Sequence, residues 1–140
     1  MKSIRLTLHL CTIMYTASFG QLKVPVKVQD SFKIKFPAAT NVKWSKENAK
    51  EYEAEFKLNN TTVSANFGTD GTWTETETTI PASELPAPIT NAVNKKYPGA
   101  KITLTERIEK PGGKVLYEVN INAKGKKKEL EMNPDGTIAE

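Results

Sequence analysis

The chain has one cysteine and one histidine in 140 residues, and both, Cys11 and His9, fall within the first 11 positions. Beyond them no disulfide, no Cys–His or Ser–His–Asp nucleophile and no thiolate or imidazole metal site can be assembled. A membrane-length apolar run is also missing: the longest, Leu6 to Phe19, is about 14 residues where ~20 are needed. Charge of one sign is scarce too, with 20 basic against 16 acidic residues. That balance gives no reason to expect nucleic acid as a partner, since the footprint of such binding is a basic face. What is present, 38% hydrophobic and 26% charged residues, fits one globular domain.

The N-terminus reads as an address rather than as part of the fold. Lys2 and Arg5 precede the apolar run, and Ser18 and Gly20 place small residues at −3 and −1 of a cleavage that leaves Gln21 first. The expectation is a signal peptide over 1–20 and a mature domain over 21–140, periplasmic or secreted. Cleavage removes Cys11, His9, Lys2 and Arg5, which takes 20 basic residues to 18 against 16 acidic. A secreted domain without cysteine must be held by its hydrophobic core.

Downstream, the sequence matches itself. Tyr52-Glu53-Ala54-Glu55-Phe56 through Asp70-Gly71-Thr72-Trp73 lies on Tyr117-Glu118-Val119-Asn120-Ile121 through Asp135-Gly136-Thr137-Ile138 at an offset of 65. Upstream, at an offset of 61, Pro25, Val28, Phe32 and Phe36-Pro37 lie on Pro86, Ile89, Val93 and Tyr97-Pro98. Two repeats are expected, about 24–80 and 85–140, each a helix followed by an antiparallel β-meander. Ile89, Ala92, Val93, Lys96 and Tyr97 follow helical spacing, with Pro86 and Pro88 at the start and Pro98-Gly99 at the stop. Tyr52, Ala54, Phe56 and Leu58 alternate with Glu51, Glu53, Glu55 and Lys57. Asn59-Asn60, Lys124-Gly125, Asp70-Gly71 and Asp135-Gly136 supply turns. The fold class is α+β, the helices packed on one face of a sheet whose other face meets water. All nine aromatic residues after position 20, among them Trp44 and Trp73, fall on helix stripes or inward strand positions.

The order of motifs carries a resemblance: Val-x-Trp at Val42, Tyr-x-Ala-x-Phe at Tyr52, Ala-x-Phe at Ala65, Asp-Gly-x-Trp at Asp70, then Leu85-Pro86 and Tyr97-Pro98-Gly99-Ala100-Lys101-Ile102. Over roughly residues 24–140 the chain resembles the PepSY-like, β-lactamase-inhibitor-like proteins secreted by Bacteroidetes. The resemblance implies a tandem α/β fold, export, and no established activity. It brings no functional residues and no cofactor.

Catalytic apparatus is thin. Glu51, Glu53, Glu55, Glu75 and Glu77 could in principle serve a small carboxylate-based glycan hydrolase, which needs two acids ~5–9 Å apart. A solvated strand face, with ordinary acid strengths, accounts for them more simply. Asn133-Pro134-Asp135-Gly136 lacks the alternating ligands and closing glutamate of a calcium loop and reads as a hairpin turn. Asn59-Asn60-Thr61 and Asn60-Thr61-Thr62 fit the N-glycosylation triplet, which arises often by chance. Candidate contacts are the basic run Lys126, Lys127 and Lys128, able to meet an acidic protein or envelope polymer, and Leu116, the one apolar residue on the outward face. The expected function is a non-enzymatic binding or regulatory module for a protein or cell-envelope component.

Overall fold

Two prolines set where the helices begin. Pro25 and Pro86 cannot donate, but their carbonyls accept the first helical N–H groups, from Val28 and Gln29 at 3.0 and 3.1 Å and from Ile89 and Thr90 at 3.0 and 3.3 Å. In the computed structural model, which describes residues 22–139, these open α1 (Val26–Lys35) and α2 (Ala87–Lys96). The predicted leader, with its cleavage after Gly20, lies outside the described residues. Both helices close with an aromatic C-cap, Phe36 and Tyr97, and Pro37 or Pro98 forbids another turn. Lys33 and Lys35, and Lys95 and Lys96, sit in the last turns, where the helix dipole favours cations.

The strands are β1 (Thr40–Lys46), β2 (Glu51–Leu58), β3 (Thr61–Gly68), β4 (Trp73–Thr79), β5 (Lys101–Glu109), β6 (Val115–Ala123) and β7 (Lys126–Met132). They form one antiparallel sheet in chain order, with α2 between the neighbours β4 and β5. The fold is α+β, as expected from the sequence. Two tight hairpins take positive φ at both central residues, Asn59 and Asn60 at 50° and 66°, Lys124 and Gly125 at 52° and 81°. Two Asp-Gly turns are each pinned by their aspartate: Asp70 Oδ1 accepts from the Thr72 N–H, and Asp135 Oδ1 from the Thr137 N–H, both at 2.9 Å.

Cross-strand register fixes which residues share a face. Ala54 faces Ala65, which faces Thr76, which faces Glu109; one step along, Val63, Thr78, Arg107, Tyr117 and Met132 make the next row. Both helices pack on this face. Val28 and Phe32 of α1 meet Tyr52, Ala54, Phe56, Val63, Ala65 and Phe67, whereas Ile89 and Val93 of α2 meet Val119, Ile121, Leu130 and Met132. The ion-paired Arg107 and Glu109 face β4 on this same side.

Phe32 is the hub of the first cluster, its ring centroid 5.0 Å from Phe56, 5.3 Å from Trp44 and 5.6 Å from Phe36. Edge-to-face pairs at such spacing add to the burial term. Trp44 and Trp73 pack against this cluster but are only half-buried. Trp44 stands on the edge strand, and Trp73 sits at the start of β4 under the Lys35 ammonium, 3.5 Å from its ring centroid. They cover the core rather than fill it.

Candidate functional site

Alternation that turns apolar residues toward the helices turns glutamates the other way. Glu53 and Glu55 on β2, Glu75 and Glu77 on β4, Glu106 on β5, Glu118 on β6 and Glu129 and Glu131 on β7 all project from the helix-free face. Glu106 is directly opposite Glu118, and Glu118 directly opposite Glu131, an arrangement of like charges that costs stability when all are ionised.

The face is not flat. The Lys110 ammonium lies 3.3 Å from Glu75 on β4 and 3.7 Å from Glu131 on β7. Three strand spacings separate β4 from β7, ~14 Å if the sheet were flat. One ammonium can serve both only where the carboxylates lean inward over a curled sheet. Between those strands Ile108 and Leu116 face each other at the floor, each 1% exposed and neither part of the helix-side clusters.

Curvature withdraws the carboxylates from water, contrary to the expectation of a solvated face with ordinary acids. Burial, with Glu106, Glu75 and Glu118 nearby, raises Glu77 to about 8, opposed by a hydrogen bond from Ser64 at 3.3 Å. Burial and Glu129 raise Glu118 to about 7, against a 2.6 Å hydrogen bond from the Asn120 amide. Glu53 and Glu106 are also raised, chiefly by burial, while Ser45 and Thr79 donate to them at 3.1 and 3.2 Å. Asn66, 9% exposed, donates to Glu75 at 3.1 Å, and its Oδ1 has no donor. Reversing the amide would set that oxygen against the carboxylate, so the orphaned acceptor belongs to the site.

The sequence candidates separate. Register puts Leu116 on the outward face, as expected, but it is buried beside Ile108 and offers no surface of its own. Lys126, Lys127 and Lys128 are exposed at the opposite end of the β6–β7 hairpin, with the Lys128 ammonium 5.6 Å from the Tyr97 ring centroid. Sequence reasoning missed Lys110, Glu106, Glu118 and Glu131. The signal available was the alternation of β5 to β7, which sets their face but not their crowding. Among the described residues no group of three or more acidic, histidine or cysteine side chains has metal-holding geometry. Two surface cavities of about 410 and 440 Å³ lie beside β1: one between Phe32, Phe36 and Trp44, the other between Val42 and Phe56 and reaching Lys43, Glu55 and Lys57 at the margin of the glutamate face.

Comparison with known proteins agrees with this architecture. The chain superimposes on a DUF2874 family protein from Bacteroides ovatus with TM-score 0.74 and 24% identity, covering 86% of this chain and 87% of that one. A BLIP-like protein from Bacteroides fragilis gives TM-score 0.71 and 23% identity over 86% of each. A protein from Bacteroides eggerthii described as "putative periplasmic" gives 0.77 and 20% over 85% and 88%. These likenesses are of fold. No curated protein matches. A family model described as "Putative beta-lactamase-inhibitor-like, PepSY-like" matches residues 50–140. The chain belongs to that β-lactamase-inhibitor-like, PepSY-like family.

Proposed function

We propose that the protein is an exported, non-enzymatic binding module that engages a protein partner through the curled glutamate face. The observation that carries this is the placement of the carboxylates: among the described residues they line an open sheet face with no aromatic platform, and of the two cavities beside β1 only one touches that face, meeting a single glutamate, Glu55. A glycan hydrolase needs a cleft that grips a sugar ring around its acid pair. The inhibitor-like family description and the BLIP-like name of one structural neighbour support a protein as the partner. Export is supported by the basic start and apolar run of residues 1–20, and by the periplasmic description of another neighbour.

We further read the domain, 21–140, as two copies of one helix–meander unit, about 24–80 and 85–140. Supporting this, the Asp-Gly turn closing each unit abuts the first turn of that unit's helix, Gly71 against Lys27 and Gly136 against Pro88. The basic run Lys126–Lys128 is a secondary contact on this reading.

The test is capture of envelope proteins by the purified chain, compared with Glu55→Arg on the glutamate face and Ile34→Arg on the exposed flank of α1. Capture lost only in Glu55→Arg supports the module. Glycan hydrolysis that disappears in Glu77→Gln would overturn it in favour of the hydrolase.

A further inference from the structure

Where α2 ends and the β6–β7 hairpin turns, acidic residues run out. No carboxylate side chain lies between Glu84 and Glu106 in the sequence, and none between Glu118 and Glu129. Those stretches hold seven lysines: Lys95 and Lys96 in the last turn of α2, Lys101 at the start of β5, and Lys124, Lys126, Lys127 and Lys128 on the hairpin. Every one of them is exposed. The fold gathers them at one end. Lys101 and Lys127 both pair with Asn122 and so share a row on the helix-free face. Lys126 and Lys128, opposite Ala123 and Ile121, turn to the helix side, where Ile121 packs with α2. There Tyr97 joins helix to hairpin, its ring centroid 5.7 Å from the Lys96 ammonium and 5.6 Å from that of Lys128. Lys124 takes the tip of the turn, at φ 52°. Turn geometry does not call for these charges: Asn59-Asn60, followed by Thr61-Thr62, makes the β2–β3 hairpin with the same positive φ and no cation. Ammonium groups packed this closely repel one another, a cost that a polyanionic surface removes.

We propose that this end of the molecule docks on an anionic phospholipid surface, its lysines seated among the headgroup phosphates. The inference goes beyond the reading of the glutamate face and stands apart from it. The distribution of charge chooses a bilayer over an acidic protein. Cations on both faces of the hairpin and at its tip meet a plane approached end-on, whereas a peptide groove would collect them on one face. All seven are lysines, point charges without the planar fork by which arginine grips a single carboxylate or phosphate. Such charges respond to the summed field of many headgroups. Neither cavity beside β1 reaches this end, so the lysines rim no described cleft. Register then sets the orientation. On the helix-free face the Lys101–Asn122–Lys127 row gives way to Asn120 and Glu129, and beyond them to Glu106, Glu118 and Glu131. A carboxylate face is disfavoured against the same lipid that holds the lysines. The molecule therefore stands on its basic end, with the glutamate face held clear of the bilayer.

The test is co-sedimentation of the purified protein with phosphatidylcholine vesicles containing about 30% phosphatidylglycerol, against vesicles of phosphatidylcholine alone. The neutral vesicles read separately any binding through the apolar run Leu6 to Phe19. Binding to the anionic vesicles is expected at low salt and should fall at least about tenfold in about 0.5 M salt. Lys126→Gln/Lys127→Gln/Lys128→Gln should lose at least about tenfold, and Lys95→Gln/Lys96→Gln, on a different element, about fivefold. Lys23→Gln/Lys27→Gln/Lys50→Gln removes the same charge from exposed sites near the start of α1 and in the β1–β2 turn, and should lose less than about twofold. Thermal melting of each variant checks that the fold is intact. Equal losses in the two triple variants would reduce the effect to net charge and overturn the proposal. Capture of soluble polyglutamate without capture of anionic vesicles would overturn it too, assigning the lysines to an acidic chain.

Discussion

The carbonyl oxygen of Pro88 lies 2.5 Å from where a β-carbon would stand on Gly136. Gly136 has φ +86°, so both its backbone and its surroundings require glycine. Gly136→Ala should cost about 3 kcal/mol or more, ~1–2 from the left-handed conformation and the rest from overlap with backbone that cannot yield. Gly125, at φ +81° with open space around it, separates the two effects. Gly125→Ala should cost only the conformational share, ~1 kcal/mol. Urea unfolding of both variants checks this, and equal losses would show that the Pro88 contact is unimportant.

The crowded glutamates make stability depend on pH in an uncommon direction. Glu77 near 8 and Glu118 near 7 keep protons in the folded chain that an unfolded glutamate, at 4.5, gives up. The folded state therefore binds more protons between those values, and this contribution, complete below about 4.5, is lost as pH rises through 7 and 8. Melting temperature should fall from pH 5 to pH 9. Glu77→Gln should flatten the fall, gaining ~1–3 kcal/mol at pH 9 and almost nothing at pH 5. A profile unchanged by the substitution would remove Glu77 as its source.

Lys110 should act in the complementary way. Lys110→Met leaves Glu75 and Glu131 without their ammonium, at a cost of ~1 kcal/mol at pH 7 for a partly exposed pair. In about 1 M salt, which screens partly exposed charges, the cost should shrink. A loss of the same size at low and high salt would assign the role of Lys110 to the packing of its methylene stem.

Among the aromatic residues, Phe32 and Trp44 should differ. Phe32→Ala removes the hub of the first cluster, 5% exposed, and should cost ~3–5 kcal/mol. Half-buried Trp44 on the edge strand should cost less, ~2–3 kcal/mol on replacement by alanine. Ile34, 82% exposed on α1, should change stability by no more than about 0.5 kcal/mol when truncated. A Trp44 loss equal to that of Phe32 would show that the indole is core after all.

Local chemistry was legible in the chain before any coordinates. Proline before each helix and after it, paired asparagines at a hairpin tip and strict alternation in β2 each have a short-range physical cause, and each gave the observed element. The inward placement of the nine aromatic residues followed from strand alternation for six of them and from helical spacing for Phe32, Phe36 and Tyr97. Curvature is different in kind. It accumulates from strand twist and from the irregular register at Asn66/Phe67 and Ile102/Leu104, which no periodic pattern announces. For that reason the sequence places Leu116 and Glu118 on the outward face correctly, yet conceals that one is buried and that the other holds its proton near 7.

Both margins of the sheet bear on what the molecule does in company with itself. At one margin, β1 breaks register between Thr40 and Lys43, with Asn41 at φ +54°, and Lys43 and Lys46 line the exposed strand. At the other, Ile138 bridges back to Met132 and the Ala139 N–H reaches the Glu131 carbonyl, while the rest of β7 begins with Lys126, Lys127 and Lys128. A visiting strand therefore meets a kink and ammonium groups on one side, and a tether and ammonium groups on the other. A seven-stranded sheet left open along both margins could template fibres. Here the irregular register on one side, the returning Ile138 on the other and the lysines along both disfavour edge-to-edge pairing.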